Sequence, residues 1–413
     1  MDCRRFFLPI LAFSFLVLLL QVEGRGRLRL GHDRKLASHQ RKFASHLRKP
    51  LRSCGCNDRR LCMPLPIASL KYPEAPHVQN YLLKKNKTEV FAFVLDCEES
   101  VWSKFNWNKL TTIALAGKAN TDLICHAHEN GVAVVSLENI PKDQLPNATA
   151  RSAWVNERLM YAMSNSMDGI NIDFEDPIDD QSPEMEGLSS LVQETVEAFH
   201  KIIPGSQVSY DVAWKAGGID GRFYDYKAIG EYSDLVFIMA YDEMSQIFDE
   251  PCNARANSGL MKAIEGIDSY LQLGIPGNKL VIGVPWYGYR YSCIDFDENE
   301  TCYIEEVPFR GANCSDAAGS QHPYSYMVET QKEYNATYRW DKETSTPYYT
   351  IQDKETGQYI QMRFDDAPSL EYKYALVKEK SLRGVGMWTA NFLDYSDTLE
   401  AAEQRALMWG IMP

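Results

Sequence analysis

Asp168-Gly169-Ile170-Asn171-Ile172-Asp173-Phe174-Glu175 is the stretch that decides the fold, because it joins a buried strand to a row of polar groups. Side chains alternate along a strand, so the apolar and polar residues of this stretch face opposite sides. The apolar side suits a layer of helices, and the polar side then faces the interior of a closed sheet. Loop solvation or helix capping is the alternative, but strict alternation of three polar residues favours a functional site.

Other short apolar runs alternate with helical patterns, of which the clearest are Ser182 to Ile203 and Gly259 to Leu273. This order predicts parallel strands joined by helical crossovers, and about eight of them close a (β/α)8 barrel, the TIM barrel of the α/β class. The predicted strands are Glu89 to Leu95, Leu110 to Ala116, Val132 to Leu137, Gly169 to Glu175, Gln207 to Trp214, Leu235 to Tyr241, Leu280 to Trp286 and Gly384 to Trp388.

The interval between the seventh and eighth strands, about 290–382, is too long for a simple crossover and predicts a small inserted α+β subdomain. Within it, Thr346 to Ile351 and Tyr359 to Phe364 flank a turn and predict a β-hairpin. A disulfide between Cys293 and Cys302 is expected where the subdomain begins.

Residues 1–24 have the layout of a signal peptide, with Arg4 and Arg5 ahead of an apolar run from Phe6 to Leu20. An uncleaved signal anchor is the alternative, and no other stretch is expected to insert stably into a membrane. The remaining cysteines and five glycosylation sequons indicate the oxidising secretory route. The sequon asparagines are Asn86, Asn147, Asn299, Asn313 and Asn335.

Residues 25–60 form a basic segment that we expect to be a flexible or removable arm ahead of the barrel domain, 61–413. Binding to polyanionic glycans is its alternative function. Cys54, Cys56 and Cys62 favour a disulfide cluster over a zinc site, because no second ligand pair accompanies them. The net charge of −13 argues against nucleic acid as a partner.

Asp173 and Glu175 share one face about 7 Å apart, close enough for each charge to affect the other. One of the pair should therefore hold a proton, and a protonated Glu175 could donate it to a glycosidic oxygen. Two carboxyls on one strand approach a sugar from the same side, so another nucleophile is needed. The 2-acetamido group of N-acetylglucosamine could supply it, with Asp173 stabilising the positive charge that develops there.

The stretch 168–175 resembles the Asp-x-x-Asp-x-Asp-x-Glu signature of glycoside hydrolase family 18, the chitinase family. Met239-Ala240-Tyr241-Asp242, Gly283-Val284-Pro285-Trp286-Tyr287-Gly288 and Gly386-Met387-Trp388 resemble later strands of that family, and together the matches cover residues 88 to about 410. The resemblance implies hydrolysis of a β-linked N-acetylglucosamine bond. We expect neither a metal nor a cofactor.

The same resemblance implies roles for individual residues. Glu175 would be the proton donor, Asp173 would orient the acetamido group, and Tyr241 would donate a hydrogen bond to its carbonyl. Trp388 would form the apolar floor beneath the sugar, since an aromatic face stacks on pyranose C–H groups. The other expected substrate-binding residues are Asn171, Asp168, Met239, Asp242 and Trp214.

Asn171 departs from the family signature, which has an aspartate here, and this puts a chitinase-type proton relay in doubt. The chain resembles a lysosomal branch of the family at three places. They are Asn171, Asp211-Val212-Ala213-Trp214 and Cys314-Ser315-Asp316-Ala317-Ala318-Gly319. That branch removes the reducing-end N-acetylglucosamine from the chitobiose core of Asn-linked glycans. We expect a monomer located in the lysosome, or a secreted protein. An endo-acting chitinase and a non-catalytic lectin are the alternatives, and Glu175 argues against the lectin.

Overall fold

The computed structural model describes residues 87–413, in which eight parallel strands close into a barrel. The fold predicted for these residues is therefore confirmed. The predicted signal peptide 1–24, the arm 25–60, the cluster of Cys54, Cys56 and Cys62, and the sequon at Asn86 lie outside the described residues. The barrel strands are β1 (Glu89–Leu95), β2 (Thr112–Ala116), β3 (Ala133–Glu138), β4 (Gly169–Ile172), β5 (Gln207–Val212), β6 (Leu235–Met239), β7 (Leu280–Pro285) and β15 (Gly384–Trp388).

Helices link the barrel strands, as the alternating pattern predicts. The longest begins after Ser182, whose side chain caps the backbone N–H of Met185, and has Pro183 in its first turn. Outside the insertion the helices are α1 (Glu99–Trp102), α2 (Thr121–Glu129), α3 (Ala148–Ser164), α4 (Pro183–Ile202), α5 (Tyr226–Tyr232), α6 (Leu260–Gln272), α8 (Ala367–Glu379) and α9 (Leu399–Gly410). No helix within residues 87–413 has the length and apolar character needed to cross a bilayer.

The segment between β7 and β15 contains a five-stranded antiparallel sheet and helix α7 (Tyr324–Glu333), as predicted for an inserted subdomain. The sheet has the order β11-β8-β14-β13-β12, and β13 with β14 forms the predicted hairpin. The predicted disulfide between Cys293 and Cys302 is present. The insertion strands are β8 (Tyr287–Ser292), β9 (Asp295–Phe296), β10 (Cys302–Tyr303), β11 (Gly319–Pro323), β12 (Arg339–Asp341), β13 (Thr346–Gln352) and β14 (Tyr359–Arg363).

The barrel interior is filled by aromatic rings at one end. Phe91, Phe93 and Phe237 pack with ring centroids 4.9 to 5.5 Å apart. Gly283 and Gly386 on neighbouring strands make room for them, because a Cβ at either position would lie within 2.3 Å of the Phe237 ring. The floor of the barrel is therefore solid, and chemistry is confined to the end where the strands finish.

Strand β4 has the predicted two-sided character. Ile170, Ile172 and Phe174 are fully buried in the core that the barrel shares with the helices. Asn171 points to the other side and is also fully buried. Regular pairing ends at Ile172, earlier than predicted, so Asp173 and Glu175 extend beyond the strand at the carboxyl end of the barrel. This end is referred to below as the barrel mouth.

Candidate active site

Asp173 and Glu175 lie at the barrel mouth, directly after β4. The backbone N–H of Asp173 still donates to Glu138 O at 2.9 Å, which holds this residue in register with β3. The Glu175 side chain is 40% exposed, whereas Asp173 is half-buried and its Oδ1 atom is inaccessible. Solvent therefore reaches the carboxyl proposed as the acid, and Asp173 lies deeper.

Glu175 forms an ion pair with Arg222, whose Nη2 lies 2.5 Å from Glu175 Oε2. Arg222 follows the loop after β5 and also lies 3.7 Å from Asp220. Arg222 was not predicted from the sequence, because its loop has no periodic pattern that indicates where a side chain points. The ion pair orients Glu175 in the free protein, and a sugar hydroxyl or glycosidic oxygen would have to compete with it.

Asn171 joins β4 to β5 inside the barrel. Its Nδ2 donates to Ser209 Oγ at 2.9 Å and to Asp211 Oδ1 at 2.8 Å. Asp211 is 2% exposed, so a third carboxyl lies behind Asp173 and Glu175. The sequence signal that could have predicted this position of Asp211 is its alternation with Ser209 along β5. Asn171 is thus a buried connector, and its substrate-binding role stays a prediction.

Burial raises the pKa of the Asp173 carboxyl well above its usual range, and the nearby charge of Glu175 raises it further, against the opposing effect of Arg222. Burial likewise raises the pKa of Asp211, and the charge of Asp173 adds to it. These shifts favour the protonated forms of Asp173 and Asp211, so the expectation that one carboxyl of the Asp173–Glu175 pair holds a proton stays a prediction that Asp173 suits best. A proton on Glu175 stays a prediction.

Tyr241 and Asp242 follow β6 at the same mouth. Tyr241 is 8% exposed, and burial raises the pKa of its phenol well above the usual range, with the charges of Asp211 and Asp173 adding to the effect. The phenol therefore stays protonated and can donate a directed hydrogen bond. Its ring packs edge-on against Tyr287 at 6.0 Å. These features suit the predicted role of Tyr241, which stays a prediction.

Asp242 is held by residues of the insertion. Its Oδ1 accepts hydrogen bonds from Tyr287 Oη at 2.5 Å and Tyr289 Oη at 2.8 Å, and Gln321 Nε2 lies 3.3 Å away. Burial raises the pKa of Asp242 to about 6, although both tyrosine hydrogen bonds oppose the shift. Tyr289 Oη also lies 3.1 Å from Asp316 Oδ2. The insertion thus forms one wall of the mouth, which sequence analysis did not predict.

Trp388 and Met239 belong to the interior cluster beneath the mouth. The Trp388 ring lies 5.1 Å from that of Phe93, and its partial burial leaves surface available above. Met239 is 9% exposed in the same cluster. Trp388 therefore has accessible surface at the mouth, and the predicted roles of Trp388 as sugar floor and of Met239 in substrate binding stay predictions.

Asp168 and Trp214 are not brought to the carboxyl cluster. Asp168 precedes β4 at the opposite end of the barrel, where its Oδ2 lies 2.8 Å from His128 Nε2 and accepts from Val134 N–H. This location fits a structural role in place of substrate binding. Trp214 packs against helix α6, with the Lys262 ammonium 4.8 Å from its ring centroid.

One group of potential metal ligands occurs within residues 87–413. Atoms of Glu250, Cys252 and Cys314 lie within 4.8 Å of one another. The two sulfur atoms are joined in a disulfide, which removes the thiolates that a metal would need. This group therefore does not constitute a metal centre.

Comparison with known proteins agrees with this geometry. The model of glycosyl hydrolases family 18 matches residues 97–392. A di-N-acetylchitobiase of Rattus norvegicus is 40% identical over 359 residues, covering 87% of this chain and 92% of the relative. A probable di-N-acetylchitobiase 2 of Dictyostelium discoideum is 39% identical over 354 residues, covering 83% of this chain and 87% of the relative.

The fold agrees as well. A GH18 chitinase from Cycas revoluta, crystallised with (GlcNAc)3, superimposes with a TM-score of 0.62 at 20% identity, covering 79% of this chain and 98% of that one. At 20% identity the structural likeness shows the barrel fold alone. The family model and the relatives also show the family, because they match most of the chain. This chain belongs to glycosyl hydrolases family 18 and is a glycosidase.

Proposed function

We propose that this glycosidase cleaves the β-1,4 bond of the GlcNAc-GlcNAc core of Asn-linked oligosaccharides and releases the reducing-end sugar. The observation that carries the proposal is the cluster of Glu175, Asp173 and Tyr241 at one barrel mouth, in a chain 40% identical to a protein named di-N-acetylchitobiase. A cluster with an exposed acid and a deeper carboxyl provides two distinct chemical roles.

The reaction proceeds with help from the substrate. Glu175 donates a proton to the glycosidic oxygen while the acetamido oxygen attacks the anomeric carbon from the other face. Asp173 stabilises the positive charge that forms on the acetamido group, and Tyr241 donates a hydrogen bond that orients its carbonyl. Water then opens the intermediate with Glu175 as base, so the new reducing end keeps its original configuration.

The surroundings of Glu175 favour a short leaving-group site. A proton donor faces the glycosidic oxygen, so the leaving sugar lies on the side of Glu175 and Arg222. On that side Ser245 Oγ donates to Asp220 Oδ1 at 2.7 Å, and Gln246 Nε2 donates to Arg310 O at 2.8 Å. Three loops are thereby joined beside the acid. Such a cross-linked rim supports release of a single sugar in preference to internal cleavage.

The route to the lysosome is part of the proposal. The four sequon asparagines among the described residues, Asn147, Asn299, Asn313 and Asn335, are all exposed, as glycan attachment requires. Two disulfides are formed within residues 87–413, which suits an oxidising compartment. Both features support passage through the secretory pathway, and breakdown of glycoproteins in lysosomes would use the activity proposed above.

Product analysis on a defined glycan tests the proposal. The substrate is a chitobiose-core oligosaccharide isotopically labelled in its reducing-end N-acetylglucosamine. We expect a single labelled monosaccharide to be released, and a first-formed partner product in the β configuration when anomers are followed by NMR. Preference for long chitin with internal fragments would instead identify an endo-acting chitinase. Binding without any cleavage would identify a lectin and overturn the proposal.

A further inference from the structure

Asn171 occupies the position at which the family 18 signature carries its middle aspartate, yet a buried carboxyl is present one strand away. Strand β5 pairs Ser209 with Asn171, and two residues further along Asp211 lies level with Asp173. Ser209 and Asp211 face the barrel interior, because the intervening Tyr210 belongs to the outer core. The carboxyl that the signature places on β4 is therefore supplied here by β5.

We propose that Asp211 is a positioning residue for the glycosidase reaction, which acts from β5 on the charge and orientation of Asp173. The proposal rests on the function proposed above. Asn171 holds the Asp211 carboxyl beside the interior face of β4, because its Nδ2 donates to Asp211 Oδ1 at 2.8 Å. Asp211 needs no contact with the sugar in this role, because its charge acts through Asp173.

Buried oxygen atoms of Asn171 and Asp173 that lack hydrogen-bond donors support a proton on Asp173. Among the described residues, the buried atoms Asn171 Oδ1 and Asp173 Oδ1 have no hydrogen-bond donor. Buried acceptors without donors are unfavourable, and a proton on Asp173 turns one acceptor into a donor. Burial raises the pKa of Asp211 as well, but Asp211 Oδ1 accepts from the Asn171 amide, which opposes that shift and favours the charged form of this carboxyl. The distribution that fits is a carboxylate at Asp211 and a neutral Asp173 in the free protein.

The charged and titratable groups that face Asp173 are the Glu175–Arg222 ion pair and two tyrosine phenols. Glu175 and Arg222 face Asp173 from the barrel mouth and form an ion pair with each other. Tyr210 and Tyr241 approach from β5 and from the end of β6, and burial raises the pKa of both phenols well above the usual range. Both phenols therefore stay neutral over the pH range in which the enzyme would be assayed.

The consequence is a specific pH dependence. Asp173 must be charged to stabilise the acetamido cation, so activity falls as the pH drops through the pKa of Asp173. The charge of Asp173 raises the pKa of Asp211, and because repulsion between like charges is reciprocal, a charge on Asp211 also opposes ionisation of Asp173. Asp211→Asn should therefore move the acidic limb of kcat/KM to lower pH by about one unit. It should also lower kcat about tenfold, because one negative charge near the cation is lost.

The experiment compares four full-length variants on the labelled core oligosaccharide: Asp211→Asn, Asn171→Asp, the double exchange Asn171→Asp/Asp211→Asn, and Ser209→Ala. The double exchange returns the carboxyl to β4 and should restore the wild-type limb and most of kcat. Ser209→Ala removes the neutral partner of Asn171 and should leave the limb in place. Thermal unfolding of each variant separates loss of fold from loss of chemistry.

The proposal is overturned if Asp211→Asn leaves the acidic limb of kcat/KM at its wild-type pH. It is also overturned if the double exchange has a kcat as low as that of Asp211→Asn alone. If Asp211→Asn does not fold, Asn171→Asp tests the proposal instead. A further buried carboxyl beside Asp173 should move the acidic limb of kcat/KM to higher pH, and an unchanged limb would overturn the proposal. A wild-type protein that does not cut the core oligosaccharide would refute the proposed function. In that case the same pH comparison on whichever N-acetylglucosamine oligomer it hydrolyses still tests Asp211.

Discussion

Glu175 combines two properties at the scale of a single residue. Its side chain is 40% exposed, so a substrate can reach it, and the 2.5 Å ion pair with Arg222 fixes its direction. A carboxyl that is free to rotate would lose much of its effectiveness, because proton transfer requires hydrogen-bond geometry. Arg222 therefore orients the side chain that is proposed as the acid.

Glu175→Gln should lower kcat at least about a hundredfold, because the amide keeps the shape of the side chain but cannot donate the proton. KM should change little. The measurement is initial-rate kinetics on the labelled core oligosaccharide. Glu186→Gln, on the exposed surface of α4, is the matched control and should keep wild-type rates. Near wild-type activity of Glu175→Gln would remove Glu175 from the mechanism.

Tyr241→Phe should lower kcat roughly tenfold to a hundredfold, because the hydrogen bond that orients the acetamido carbonyl for its attack on the anomeric carbon is lost. The ring remains, so its packing against Tyr287 and the thermal unfolding temperature should be preserved. Tyr232→Phe on α5 provides the same chemical change away from the mouth. Equal activity of Tyr241→Phe and wild type would show that the phenol does not contact the reacting group.

At the scale of elements, the loop after β6 is the part of the site held most firmly. Glu243, next to Asp242, is 1% exposed, and its Oε2 accepts from the N–H of Gly259, the N-cap residue directly before helix α6. Lys262 in α6 donates to Glu243 O at 2.7 Å. The helix and the loop therefore support each other, and Asp242 is positioned as a result.

Glu243→Gln should flatten the pH dependence of stability. Burial raises the pKa of Glu243 from 4.5 to about 8, so folding favours its protonated form. Its contribution to the free energy of unfolding is complete below about pH 4.5 and is lost as the pH rises to about 8. The wild-type unfolding temperature should fall roughly 5 °C more than that of the variant between pH 5 and 8.

Calorimetry across this pH range makes the measurement. Glu403→Gln, on the exposed side of α9, is the control and should keep the wild-type slope. A Glu243→Gln variant with an unchanged slope would show that another group is responsible for the pH dependence.

At the scale of the whole molecule, the barrel and its insertion form the site together. Barrel strands supply Asp173, Glu175 and Tyr241, while the insertion supplies Tyr289 and Gln321 to hold Asp242. The Cys252–Cys314 disulfide joins the loop after β6 to the insertion, and Ile247 N–H donates to Cys314 O beside it. The two parts are therefore fixed to each other at the barrel mouth.

Replacing both Cys252 and Cys314 by serine should destabilise the protein by about 4 kcal/mol, because this bridge closes 62 residues of chain. Replacing Cys293 and Cys302, which close 9 residues, should cost only about 2.5 kcal/mol. Denaturant unfolding measures both. We also expect a higher KM in the first variant alone, since it loosens the wall around Asp242. A larger loss in the second pair would contradict this ranking.

The sequence by itself determined the barrel, the inserted subdomain and the position of the acidic pair, because alternation along strands and helical spacing are local patterns. Strand β15 has its predicted bounds, whereas β4 ends three residues early: Asp173 keeps one backbone hydrogen bond to β3, but regular strand pairing stops at Ile172. Periodicity shows which face a residue takes, and it does not show where a strand stops.

Only the tertiary structure decided what surrounds the acids. Arg222, Asp211 and Gln321 lie 36 to 146 residues from Glu175 along the chain, and no local pattern brings them to it. Asp168, seven residues away, goes to the opposite end of the same strand instead. Burial and the field of neighbouring charges depend on contacts between distant segments, and these contacts set the protonation of Asp173.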